Sequence, residues 1–219
     1  MAFTLTQEVR EMFGCWTVKG GSGTTVFSAA LALALADRHG KATIVDFGGD
    51  VPSVLGMAEP AGRGIRDWLS SPGRDAQEFG HLHLNATSRL RVVPAGSATS
   101  FSDEALHDLV GVVDEHTVFD FGTLQPPDSL RNSLRNDWLV LRPCYLALRR
   151  AARLATRPHG VVVIREAGRS LTARDIQSVV GAPVVGEITV SDGVARSVDA
   201  GLLATRLPKQ LADELTRLL

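Results

Sequence analysis

The feature that most restricts the fold is an alternation, repeated along the chain, between short β-branched apolar runs and longer stretches of helical period. Runs such as ATIVDF at 42–47 and VVVI at 161–164 read as continuous rather than alternating apolar segments. A strand of that kind needs cover on both faces, which a parallel sheet with helical crossovers supplies. Strands are therefore predicted at Phe13–Val18, Ala42–Phe47, Leu90–Val93, Thr117–Phe121, Trp138–Arg142, Val161–Ile164 and Val184–Ile188. Helices are predicted at Thr24–Arg38, Ile65–Ser70, Ser102–Glu115, Ser129–Arg135, Tyr145–Thr156, Thr172–Val180, Gly193–Ala200 and Pro208–Leu219. The expected class is α/β: a doubly wound, mostly parallel seven-stranded sheet with helices on both faces.

Turn signals separate these elements at Gly40, Pro94-Ala95-Gly96, Pro126-Pro127 and Pro158-His159-Gly160. Residues 1–10 read as a loose arm, 11–219 as one domain, and Pro72–Phe79 as a surface loop. At 219 residues the chain suits one substantial α/β domain better than two. A formal charge of −1 with 44% hydrophobic and 21% charged residues gives no global attraction to nucleic acid or membrane, so any such affinity has to be local. No window approaches the run of about 20 apolar residues that spans a bilayer. MAFTLTQEVREM carries two acidic residues and no apolar core suited to secretion, so a cytoplasmic protein without membrane insertion is expected. Cys15 and Cys144 lack metal-ligand spacing and read as packing residues.

The chemistry concentrates in Val18-Lys19-Gly20-Gly21-Ser22-Gly23-Thr24-Thr25, between a predicted strand and a predicted helix. In that setting backbone N–H groups and the positive end of a helix dipole can cradle phosphate. Glycines at 20, 21 and 23 permit close backbone approach to a ligand. The general phosphate-loop motif G-x-x-x-x-G-K-[ST] is only partly met, because Val18 replaces its first glycine and Thr24 its lysine.

With its lysine at the front of the loop, this stretch resembles the deviant Walker A box of the ParA/MinD-type P-loop ATPases. Those proteins include chromosome-partition ATPases, MinD-like proteins and CpaE/TadZ-like pilus-assembly proteins. Three further segments support the resemblance. ATIVDFGGD places Asp46 at the end of the second strand, although the family's second acid two residues on is Gly48 here, with Asp50 displaced. EHTVFDFG, 115–122, resembles a Walker B strand with Asp120 and Gly122. DWLVLRPC, 137–144, resembles the next strand and loop, and DAGLLATRLP closes the domain as the family does.

The resemblance implies a homodimer sandwiching ATP and Mg²⁺. Lys19 would reach across to the partner copy's nucleotide, and Gly20, Gly21, Ser22, Gly23, Thr24 and Thr25 would line the phosphates. Thr25, Asp46 and Asp120 would hold Mg²⁺ and water, making Lys19, Asp46 and Asp120 the catalytic set, while Gly122 would sense the γ-phosphate. Loss of one phosphate-facing lysine matters: two unit charges about 4 Å apart interact by about 4 kcal/mol at an effective dielectric of about 20. The expected consequence is affinity lower by roughly a hundredfold or more, binding that is weak or dimer-dependent, and slow or absent hydrolysis. Arg165 and Glu166 stand where the family offers an adenine-reading asparagine.

The expected role is a nucleotide-dependent switch that organises a protein partner or cargo, as in partition, division-site placement or pilus positioning. The alternative is a scaffold that has kept the fold and ignores nucleotide. A metabolic P-loop enzyme of the dethiobiotin-synthetase kind has no substrate-pocket signature in its support. Seven arginines lie between 131 and 157, and Arg149, Arg150, Arg153 and Arg157 could share one face of the predicted 145–156 helix. Non-specific DNA binding through that face is possible but not favoured, since the chain is near neutral and no aromatics interleave. The amphipathic LPKQLADELTRLL balances Lys209 and Arg217 with Asp213 and Glu214 and is expected to pack on the sheet. His81 and His83 read as an exposed strand face, and Ser22 and Ser28 lack partners for nucleophilic catalysis.

Overall fold

The computed structural model describes residues 10–219, so the expected arm lies, except for Arg10, outside the described residues. Eight strands form one sheet: β1 (Glu11–Trp16), β2 (Ala42–Asp46), β3 (Leu84–Asn85), β4 (Leu90–Val93), β5 (His116–Asp120), β6 (Asn136–Leu141), β7 (Gly160–Arg165) and β8 (Val184–Thr189). Their order is β3-β4-β2-β5-β1-β6-β7-β8, and every pairing is parallel except β3 with β4. The expected seven strands are all present, and the eighth corrects the count. β3 is two residues long at the sheet edge and takes only Leu84 from the strand-like FGHLHL, 79–84.

Helices cover both faces. On one face α1 (Thr24–His39) packs with α2 (Val51–Val54) and α10 (Lys209–Thr216), joining Phe27, Leu31, Leu35, Val51, Leu211 and Leu215 to the inward residues of the strands. On the other, α3 (Ile65–Leu69), α4 (Ala76–Gly80), α5 (Asp103–Val112), α6 (Asp128–Arg131), α7 (Tyr145–Ala151) and α8 (Ala173–Val180) contribute Trp68, Phe79, Leu106, Leu130, Leu148 and Ile176. Alternate residues of one strand serve the two cores: Phe13 and Cys15 face α1, while Met12 and Trp16 face the other layer. Every position of β1 and β2 is buried, which is why these segments read as unbroken apolar runs. The helix between β8 and α10, α9 (Asp192–Asp199), has no fully buried residue.

Several predicted boundaries move. The 72–79 loop contains the start of α4, whose N-terminus is capped by Asp75 accepting from Glu78 N–H. The 145–156 helix stops at Ala151, so Arg153 and Arg157 do not share a face with Arg149 and Arg150. His83 lies outside a strand, with its side chain edge-on to Phe79 and largely covered. Arg131, read as part of a basic surface, is 5% exposed and bonded to Asp137 at 2.5 Å. Cys15 is fully buried, and burial pushes its thiol far above the usual range; Cys144 caps α7 by accepting from Ala147 N–H through Sγ.

Candidate nucleotide site

The strand order reverses direction at β1, which has β5 on one side and β6 on the other. In open α/β sheets the crevice beyond the strand ends at such a point accepts ligands. Residues 17–23 turn there between β1 and α1. Gly21 and Gly23 have φ of +77° and +84°, the left-handed region in which a side chain is strained. Gly23 is the N-cap of α1 and no side chain caps the helix, so its first N–H groups face the loop without a capping acceptor. A 16-residue helix adds the positive end of its dipole.

Within the loop, Ser22 donates its hydroxyl to the Lys19 carbonyl at 2.7 Å and tightens the turn. Lys19 is partly exposed and its Nζ donates to the Gly20 carbonyl at 3.2 Å, a weak tether for a side chain at the rim. Thr24, standing where the general motif has lysine, is 4% exposed, and its Oγ1 has no hydrogen-bond partner. Thr25 follows it, half-buried on the first turn.

The two carboxylates predicted for the site sit side by side. Asp46 ends β2 and Asp120 ends β5, and the sheet register pairs them directly. Their hydrogen bonding differs. Asp46 Oδ1 accepts from Gly48 N–H at 2.9 Å and Gly49 N–H at 2.7 Å, and Oδ2 from Val51 N–H at 3.0 Å, so this side chain holds the loop into α2. Asp120 Oδ1 accepts from Gly122 N–H at 3.2 Å, whereas its Oδ2 is buried with no hydrogen-bond partner. Burial first, then the neighbouring Asp46 charge, pushes Asp120 up to about 6, with the Thr25 and Ser28 hydroxyls pulling the other way. Burial also raises Asp46, against the pull of its three backbone donors.

Gly122 adopts φ +57°, and its carbonyl accepts from Thr17 N–H at 2.8 Å, tying the loop after β5 to the start of the phosphate loop. Gly48 lies opposite, its Cα 3.6 Å from where a Gly122 Cβ would stand. The residues present fit a hydrated Mg²⁺: Asp120 Oδ2 is a buried oxygen without a hydrogen-bond partner on the last residue of β5, and Thr25 offers a hydroxyl close to it. The loop amides fit the phosphates of a nucleotide.

Beside Gly23 lies an apolar pocket that the sequence did not signal. It is lined by Val26, Phe27, Ile164, Ile188, Val190 and Val194, residues from α1, β7, β8 and α9 that meet only in the folded chain. At its mouth Arg142 pairs with Glu166 at 3.3 Å, and Glu166 also pairs with Arg169 at 2.9 Å. Arg165 makes a two-pronged bond to Glu187 at 2.9 and 2.7 Å and donates to the Leu171 carbonyl. Both residues that replace an asparagine are thus engaged in ion pairs.

No protein-family model matches this sequence, and no curated protein matches it as a relative. Solved structures do match it in three dimensions. A ParA family ATPase from Chlorobium tepidum TLS superposes with TM-score 0.75 at 20% identity, over 94% of this chain and 97% of that one. The MinC:MinD cell division protein complex of Aquifex aeolicus gives TM-score 0.73 at 20% identity, with 95% of each chain covered. A variant of Cyanothece McdA in complex with ATP gives 0.64 at 13% identity, over 96% of this chain and 95% of that one. The chain has the fold of the ParA/MinD P-loop ATPases.

Proposed function

We propose that this protein is a nucleotide-dependent dimeric switch with a degenerate phosphate loop, binding ATP with Mg²⁺ weakly or only as a dimer, and organising a protein partner or cargo. The observation that carries the reading is Asp120 Oδ2, buried and unpartnered beside Asp46 at the mouth of the glycine loop. A buried carboxylate oxygen without a donor costs free energy that a cation removes. In this reading Thr25 and Asp120 hold Mg²⁺, and Asp46 fixes the 48–51 loop and orients water through its remaining lone pairs. The amides of Gly20 to Thr25 take the phosphates, Lys19 swings from Gly20 to the partner copy's nucleotide, and Gly122 reports the γ-phosphate to Thr17. The apolar pocket beside Gly23 takes the base. Bound Mg²⁺ supplies charge neutralisation on the phosphates, and with Thr24 in place of lysine turnover is slow or absent.

Nucleotide that contacts two copies at once favours the dimer by mass action, which makes occupancy a switch. Partner organisation follows from the shared fold of the partition and division-site ATPases. Sizing with in-line mass measurement, with and without ATP·Mg²⁺, tests the proposal: a nucleotide-dependent shift from monomer to dimer is expected, and an unchanged mass at saturating nucleotide defeats it.

The competing reading, a scaffold indifferent to nucleotide, is favoured by one observation: Arg165 and Glu166 are locked in ion pairs at the base end. A dimer that forms equally with or without nucleotide would support it. DNA binding is not proposed, because Arg131 is buried against Asp137 and Arg157 donates to the Gly181 carbonyl, which disperses the basic run.

A further inference from the structure

At the opposite end of the sheet from the glycine loop, the fold gathers a second set of chemically able side chains. Glu11 is the first residue of β1, His116 the first of β5 and His39 the last of α1. A strand rises about 3.3 Å per residue, so the six residues of β1 put this cluster roughly 17 Å from the phosphate loop. Glu11 Oε2 lies 2.9 Å from His39 Nε2 and 4.0 Å from His116 Nδ1. One ligand atom from each of the three residues lies within 4.8 Å of the other two. The imidazole rings are stacked, with centroids 3.8 Å apart and planes 16° from parallel.

The geometry points to a divalent transition-metal site, of the zinc class, formed by Glu11, His39 and His116. Two imidazoles and one carboxylate suit zinc, which accepts three protein ligands and leaves a fourth position for water. Tetrahedral bonds of about 2.1 Å put ligand atoms about 3.4 Å apart, so the 2.9 Å between Glu11 and His39 has to open slightly, while the wider separations, 4.0 Å from Glu11 to His116 and at most 4.8 Å within the cluster, have to close. The two rings also have to splay from parallel for their lone pairs to converge. His39, the last residue of its helix with a side chain 25% exposed, is the ligand that has to turn. Glu11 is 8% exposed and its Oε1 is held by Arg135, which orients the carboxylate and leaves Oε2 toward the histidines.

The cluster opens on a cleft lined by Arg10, Lys41, Asp114 and Glu115 beside the two histidines. Asp114 is committed to Thr43, Lys41 and Arg91, and Arg10 donates to the Val110 carbonyl. Glu115 faces the same cleft. A bound ion ties together the first residue of the central strand, the first of its neighbour and the end of the long helix that follows the phosphate loop. Its natural effect is to stabilise the fold from the face remote from nucleotide. Binding requires neutral imidazoles and weakens as pH falls through the histidine range.

The test uses the untagged full chain at about pH 7.5. Co²⁺ titration should develop a visible absorption band saturating at one equivalent, and Zn²⁺ should displace it. Zn²⁺ at about a hundred times its dissociation constant should raise the thermal midpoint by roughly 5 °C in the wild type and equally in Asp120→Asn, a variant in which Mg²⁺ should be inert. His39→Gln and His116→Gln, which keep hydrogen-bonding capacity, should each weaken Co²⁺ binding by about tenfold or more without unfolding the protein, while Asp120→Asn should leave the band unchanged. Absence of a wild-type band, a band that persists in the double His→Gln variant, or one that disappears in Asp120→Asn overturns the assignment.

Discussion

Asp46 and Asp120 are register partners at the ends of adjacent parallel strands, yet one carboxylate accepts from three backbone N–H groups and the other keeps a buried oxygen without a hydrogen-bond partner. The asymmetry assigns them different work. Asp46 holds the loop that follows it, and Asp120 is the carboxylate with an acceptor to spare.

The first prediction concerns that charge. Asp120 rises from 3.8 to about 6 in the folded state, so the folded protein binds more protons than the unfolded one between those values. Its effect on stability is absent below about pH 4, grows as a penalty through about pH 6, and then levels at about 3 kcal/mol. Asp120→Asn should therefore stabilise the protein at pH 7.5 by about 1–3 kcal/mol and leave it unchanged near pH 4. Urea unfolding of both proteins across pH 4–8 measures the difference, and a parallel pair of curves would contradict the account.

A second prediction concerns the buried pair beneath the next strand. Asp137 is fully buried, accepts from Trp16 Nε1 and Arg131 Nε, and is the principal counter-charge of a guanidinium that is 5% exposed. Asp137→Ala leaves that guanidinium buried without its main partner, at an expected cost of about 3–5 kcal/mol. Replacing both residues, Asp137→Leu with Arg131→Met, should recover much of it. Denaturant midpoints of the single and double variants check the coupling.

A third prediction addresses the substituted loop residue. Thr24→Lys should restore a phosphate-facing cation and tighten ATP binding by roughly a hundredfold. Lys19→Ala should abolish the nucleotide-dependent dimer while leaving the monomer folded, because among the described residues Lys19 Nζ hydrogen-bonds the Gly20 carbonyl alone. Calorimetric titration and sizing read the two effects separately. Robust wild-type turnover indifferent to Lys19 would end the switch reading.

The fourth separates a packed C-terminal helix from a membrane-seeking one. Leu211 and Leu215 of α10 are 2% and 0% exposed and lie in the core that α1 shares with the sheet. Leu215→Ala should cost about 2–5 kcal/mol of stability. Neither the wild type nor this variant should sediment with anionic vesicles. No described helix is long and apolar enough to cross a bilayer.

The sequence alone determined the α/β class, the positions of the central strands and the glycine loop, because each rests on local signals. Unbroken apolar runs such as 42–46 and 161–164 can only be strands covered on both faces, and Gly21 and Gly23 announce a backbone that side chains would strain. Asp46 and Asp120 were legible through the resemblance of their segments to the ParA/MinD-type pattern, each lying at the end of such a run. Tertiary structure decided what no local window holds: which carboxylate oxygen is left without a donor, that Arg131 turns inward to Asp137, and that the helix from Tyr145 stops before Arg153. It also brought Glu11, His39 and His116 together from the ends of three elements, and assembled the apolar pocket beside Gly23. Those outcomes depend on sheet order and register, and a chain's period and composition carry no record of which strand end meets which.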